Sequence, residues 1–236
     1  MWRTSLLALA ACAFTHGAAS STQDGSGDAP PPPPQDAALP DASYPACMAM
    51  PMGMPMPAGV LGGTGGGTPN TPTACGPGEV AVGTGFDYSP DQDGGNETTI
   101  IDVIVRCGTL ARDTTGRITT TFMETHMTPT GGICFGITDD SIPEQDCASG
   151  SVVVGMTANE AGTSLYNTVT VQCAAVTADF TISAATTTFT YATGSFDDKP
   201  QTAMCPPNTA FSSFALRTGC ANDLLGPRCV ALGCMP

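Results

Sequence analysis

Lysine is almost missing from this chain. Of 236 residues only Lys199 is one, and 7 basic residues face 21 acidic ones, for a net charge of −14. Phosphate binding needs a basic footprint, so nucleic acid is excluded as a partner class. Histidine is as scarce, with His16 near the start and His126 in the body of the chain. Aromatic residues make up 6 %, no serine sits in a G-x-S-x-G elbow, and no apolar run approaches the ~20 residues of a membrane span. Acids, bases and nucleophiles this thinly spread point to a protein without catalysis.

Cysteine is what the chain has in excess, and its 11 copies are an odd number. Their spacings do not assemble paired zinc knuckles, so disulfides in an oxidising compartment are expected. The odd one is Cys12. Arg3 and the apolar run Leu6 to Ala11 form a leader, and its end, Leu9-Ala10-Ala11-Cys12, resembles the bacterial lipobox. That resemblance implies a signal peptide over 1–11, a lipidated Cys12, and a protein held to the lipid bilayer of a bacterial, outer, membrane on its extracytoplasmic side. The alternative is an ordinary secretory signal cut near Ala18-Ala19-Ser20 and a secreted product. Either way ten cysteines remain to pair.

From residue 12 to 74 the composition is Gly, Pro, Ala, Ser, Thr and Met with few aliphatics, too little to offset the entropy of ordering. A disordered tether is expected there, stiffened by Pro30 to Pro34 in polyproline II. Acidic, proline-rich stretches of this kind are similar to those following the lipidated cysteine in many Gram-negative lipoproteins. Within it Met48, Met50, Met52, Met54 and Met56 recur at every second position beside Cys47. Thioethers are soft ligands for Cu(I), which gives one alternative function, a periplasmic copper binder using segment 47–57.

The remainder, 75–236, is all-β in pattern: short Val/Ile/Thr/Phe alternations such as Ile101 to Val105 and Phe180 to Ile182, punctuated by Gly, Asn, Asp and Pro. It repeats. Residues 75–107 and 147–173 both open C-x-x-G, pass through Val82-Gly83 or Val154-Gly155, and return on a strand ending V-x-V-x-C; 205–234 is a third, looser copy. A cysteine at the start of one strand and another at the end of its return strand are neighbours. The expected bridges are therefore Cys75–Cys107, Cys147–Cys173 and Cys205–Cys234, with Cys220–Cys229 inside the third copy and Cys47–Cys134 left over. A further candidate is the oxygen-rich segment Asp87, Asp91, Asp93, Asn96 and Glu97, which suits Ca2+ or the hydroxyls of a sugar. An unoccupied polar turn is the plainer reading.

Cys75, Gly78, Val82-Gly83, Gly95-Asn96-Glu97-Thr98, Ile100 and Val103-x-Val105-x-Cys107 resemble the repeats of the vitelline membrane outer layer protein family. The resemblance implies a disulfide-stapled β-prism of three Greek-key sheets, a non-catalytic module for carbohydrate or matrix glycan, or, as an alternative, a glycan-acting enzyme. The third copy departs from the pattern: Asn208 stands where Gly78 does, and the chain ends about 30 residues after Cys205. A three-sheet prism must then borrow strands or close incompletely, and a β-sandwich stays open.

Overall fold

The structure, a computed structural model, describes residues 43–62, 68–89, 99–127, 140–161, 165–192, 199–218 and 222–235. Cys12 and the proline run lie outside the described residues. The strands are β1 (Cys47–Pro57), β2 (Leu61–Gly62), β3 (Thr68–Ala74), β4 (Val80–Ser89) and β5 (Thr99–Arg112). They continue with β6 (Ile118–Met127), β7 (Asp140–Asp146), β8 (Ser151–Ala161) and β9 (Leu165–Val176). The last are β10 (Ile182–Ala192), β11 (Lys199–Met204), β12 (Thr209–Thr218) and β13 (Asn222–Met235). None of the described residues is helical.

Each repeat builds one four-stranded antiparallel sheet. The first has the order β7-β4-β5-β6 and the second β11-β8-β9-β10. The third is β3-β12-β13-β1, with the short β2 also on β13. This is the prism arrangement, not the sandwich, and the third sheet does borrow strands: β1 and β3 come from the N-terminal stretch. The tether expected over 12–74 is corrected accordingly, since its part from Cys47 to Ala74 contributes three strands. Composition hid them because a strand whose hydrogen bonds are supplied by a distant partner needs few aliphatics of its own.

The three-fold likeness extends to single atoms. Gly78, Gly150 and Asn208, each three residues after a cysteine, have φ of 83°, 78° and 61°. In each turn the next residue's N–H closes the loop: Glu79 donates to the Gly76 carbonyl, Ser151 to Ala148 and Thr209 to Pro206, at 3.1, 2.9 and 3.2 Å. Asparagine tolerates the left-handed region, so the Gly-to-Asn departure of the third copy leaves the turn intact. The repeats are chained by equivalent bonds. Cys147 N–H donates to the Val82 carbonyl, Cys205 to Val154 and Cys75 to Ser212, at 2.8, 2.8 and 3.0 Å, so that the third leads back to the first.

The same register explains the disulfides. Cys107 lies opposite Ala81 and Cys173 opposite Val153, each six residues past the first cysteine of its repeat. The structure joins Cys75 to Cys107 and Cys147 to Cys173, with Cα–Cα of 5.4 and 5.7 Å. In the third repeat the residue opposite the sixth position, Phe211, is Cys229. The expected Cys205–Cys234 and Cys220–Cys229 are therefore corrected to Cys205–Cys229. Cys234 instead bonds Cys47, which corrects Cys47–Cys134. Cys134 and Cys220 lie outside the described residues.

The Cys47–Cys234 bond has a specific place. In the first two sheets β5 is joined to β6 and β9 to β10 by the tight turns Asp113–Arg117 and Thr177–Thr181, each closed by a main-chain bond, 3.0 Å and 2.8 Å. In the third sheet the corresponding strands are β13 and β1, the two ends of the described chain, and the disulfide stands where the turn would be.

Two apolar clusters fill the interior, and the second strand of each repeat serves both. Val103, Val105 and Cys107 lie in one cluster and Leu110 in the other; likewise Val169, Val171 and Cys173 against Ala174 and Val176, and Cys229 against Val230. The buried face of each strand switches at its cysteine. Replacing Cys47 and Cys234 together by serine should lower unfolding stability by about 4–5 kcal/mol, because the bond closes a very long loop. The shift of the urea midpoint measures it.

Candidate functional site

The methionine run is an ordered strand. Met48 pairs with Met235, Met50 with Gly233 and Met52 with Ala231, and a bulge then shifts the register before Met56 meets Cys229. Gly53 within the bulge has φ 81°. Cys47 and Ala49 point into the core, while Met48, Met52, Met54 and Met56 are exposed. Of the oxygen-rich candidate the structure describes Asp87, whose backbone pairs with Asp102 and Ser141 in the first sheet; Asp91, Asp93, Asn96 and Glu97 lie outside the described residues. His126 Nε2 donates to Glu124 Oε1 at 2.7 Å on the surface. Among the described residues no three His, Cys, Asp or Glu side chains are placed to hold a metal.

Sequence reasoning missed the outer face of the second sheet. Thr202 of β11 pairs with Thr157 of β8, Thr157 with Thr170 of β9, and Thr170 with Thr190 of β10. One rank of threonines thus crosses all four strands, tied by hydroxyl bonds Thr157–Thr202 at 3.1 Å and Thr170–Thr190 at 2.9 Å. Asn159 and Thr168 flank it on one side, Gln172 and Thr188 on the other. The opposite face of the same strands carries Met156, Ala158, Val169, Val171, Tyr191 and Ala203, all in the core. The frame does not require these threonines. At the positions of Thr157 and Thr170 the first sheet has the pair Gly85–Ile104 and the third Ala215–Gly226. The signal was present in period-two threonines on β9 and β10, but only the register lines them up.

The basic side chains near these faces are committed elsewhere. Arg106 makes a paired contact with Asp146 at 2.5 and 3.1 Å, an ion pair with Glu144, and lies 4.1 Å over the Phe122 ring. Arg112, 8 % exposed, makes no ion pair among the described residues. It donates to the Pro45 carbonyl at 2.8 and 3.2 Å, to the Ala178 carbonyl at 2.6 Å and to Cys234 Sγ at 3.5 Å, between the rings of Tyr44 and Phe180. Arg112, Ala178 and Cys234 each stand five residues past the second cysteine of their repeat, so this guanidinium plugs the end where the three sheets converge. Phe180 holds φ 58°, unusual for a bulky residue, in the core below it.

Tyr191 is the strongly perturbed group of the interior. It is 3 % exposed, stacks edge-on against Phe86 with centroids 4.6 Å apart, and donates its hydroxyl to the Thr84 carbonyl at 2.9 Å. Burial pushes its phenol up to about 12. The Thr84 hydroxyl, at a position held by Met156 and Phe214 in the other repeats, is buried without a partner.

No family model matches the sequence, and no curated protein does. Among solved structures the chain is similar to the mannose-binding lectin from champedak, at 14 % identity over 75 % of this chain and 97 % of that one, with a TM-score of 0.41. It is similar also to Calystegia sepium agglutinin, at 13 % identity, 75 % and 97 % coverage and a TM-score of 0.43. A mannose-specific jacalin-related lectin from Morus nigra in complex with mannose matches at 12 % identity, 76 % and 96 % coverage and a TM-score of 0.44.

Because the phenol of Tyr191 is raised in the folded state, its contribution is complete below pH 10 and is lost as pH climbs toward 12. Tyr191→Phe should remove that part of the alkaline stability loss, at the cost of about 1 kcal/mol at neutral pH from the lost hydrogen bond. Urea titrations at pH 7 and through pH 10–12 compare the two.

Proposed function

We propose that the chain is an extracytoplasmic, lipid-anchored binding module without catalysis, whose ligand is a neutral carbohydrate. The observation that carries this reading is the threonine rank. In a chain of net charge −14, the outer face of the second sheet offers Thr157, Thr168, Thr170, Thr188, Thr190 and Thr202 with Asn159 and Gln172, and no charged group among its described side chains. Hydroxyls and amides that both donate and accept match the hydroxyls of an uncharged sugar polymer. Two grounds support absence of catalysis: Arg106 and His126 are each paired with acidic side chains, and the perturbed phenol of Tyr191 is sealed in the core. The segment holding Asp91, Asp93, Asn96 and Glu97 is a second contact in this reading, through its carboxylates or through bound Ca2+.

Anchoring through Cys12 is part of the proposal and is supported by the leader sequence, which ends Leu9-Ala10-Ala11-Cys12.

A glycan array probed with the full chain should show neutral glycans bound. Thr170→Glu with Thr190→Glu should weaken that binding at least tenfold while the circular dichroism spectrum is kept, and silence across the array would leave only a structural role. Intact mass of the membrane-extracted protein tests the anchor: loss of residues 1–11 with added acyl chains is expected, and a start near Ser20 without lipid refutes it.

A further inference from the structure

The methionines of the third sheet belong to two strands, which the linear run conceals. Met48, Met50 and Met52 share one face of β1, and Met235 of β13 lies directly opposite Met48. Directly paired residues on one face hold their Cβ atoms about 4.5–5.5 Å apart, within easy reach of flexible thioether side chains. Met52 lays its sulfur across Gly233, into the space a β-carbon would take. Gly233 is itself the partner of Met50 and two residues from Met235, so that sulfur sits between its neighbours. Met48, Met52 and Met235 are 51 %, 57 % and 55 % exposed. The frame does not ask for this: in the first sheet the positions of Met50 and Met52 are held by Thr119 and Thr121.

We propose that Met48, Met50, Met52 and Met235 form a binding site for a soft monovalent cation, Cu(I) or Ag(I). Thioethers are uncharged and polarisable and suit d10 monovalent ions over Ca2+ or Zn2+. A groove of 520 Å3 runs beside them, lined by Met48, Met50 and Met235 together with Arg112. The Arg112 guanidinium faces the Pro45 and Ala178 carbonyls, and its fixed positive charge opposes any cation, a divalent one twice as strongly as a monovalent one. Met54 and Met56 fall beyond the bulge at Gly53, off this register, and are not part of the site. The proposal is independent of the carbohydrate reading.

The test is an Ag(I) titration of the full chain, after alkylation of any free thiol, followed through methionine methyl resonances. Ag(I) is redox-inert and spares the disulfides. Expected are one ion per chain and joint movement of the Met48, Met50, Met52 and Met235 methyls while Met54 and Met56 stay in place. Met235→Leu, on an exposed position, should weaken binding at least tenfold, and Met54→Leu with Met56→Leu should leave it unchanged. Binding weaker than about 1 µM, equal response of Met54 and Met56, or an unaltered affinity in Met235→Leu each overturns the site.

Discussion

The fold depends on how its third sheet is closed. That sheet is assembled from the two ends of the described chain, β1 and β3 from one and β12 and β13 from the other, so its strands pair across most of the sequence. Loop-closure entropy opposes such a pairing. Three interactions offset it at one place: the Cys47–Cys234 bond, the main-chain ladder of β1 on β13, and Arg112 bonded to the Pro45 carbonyl, the Ala178 carbonyl and Cys234 Sγ. A buried guanidinium with no ion pair among the described residues is tolerable here because carbonyl dipoles and aromatic faces take the place of a counter-ion.

With closure secured, the three repeats are free to differ on their outer faces. The cysteine turn, its left-handed residue, the bulge six to eight residues on and the inter-repeat bond recur three times. The outward residues do not. One sheet pairs Arg106 with Asp146 and Glu144, one carries a rank of threonines, and one carries methionines. Invariant geometry combined with divergent surface is how a scaffold acquires separate binding faces without disturbing its core.

Much of this was legible in the chain. Cys75–Cys107 and Cys147–Cys173 follow from the repeat because both partners lie in adjacent strands of one hairpin. Cys47 with Cys234 was not legible, since 187 residues separate them and neither lies at a position shared by the other repeats' cysteine pairs. Strands β1 and β3 were read as tether because Met, Pro and Gly have low strand preference and their partners stand at the other end of the sequence. The threonine rank was invisible for a related reason. Each threonine looks ordinary on its own strand, and only the register of four strands makes them a surface.

The substitution of a covalent bond for a turn has a mechanical side. A pull on the N-terminal segment reaches the fold at Tyr44 and Pro45, which are held by Thr114 and Arg112, and then at Cys47. There the force passes into β13 through sulfur before it reaches the β1 ladder. Hydrogen bonds at the end of a strand normally open one after another like a zipper, yet this strand is clamped at the very end from which it would be peeled. Peeling cannot start at that end while the bond is intact, so a domain tugged from its N-terminal side yields last where it is grasped.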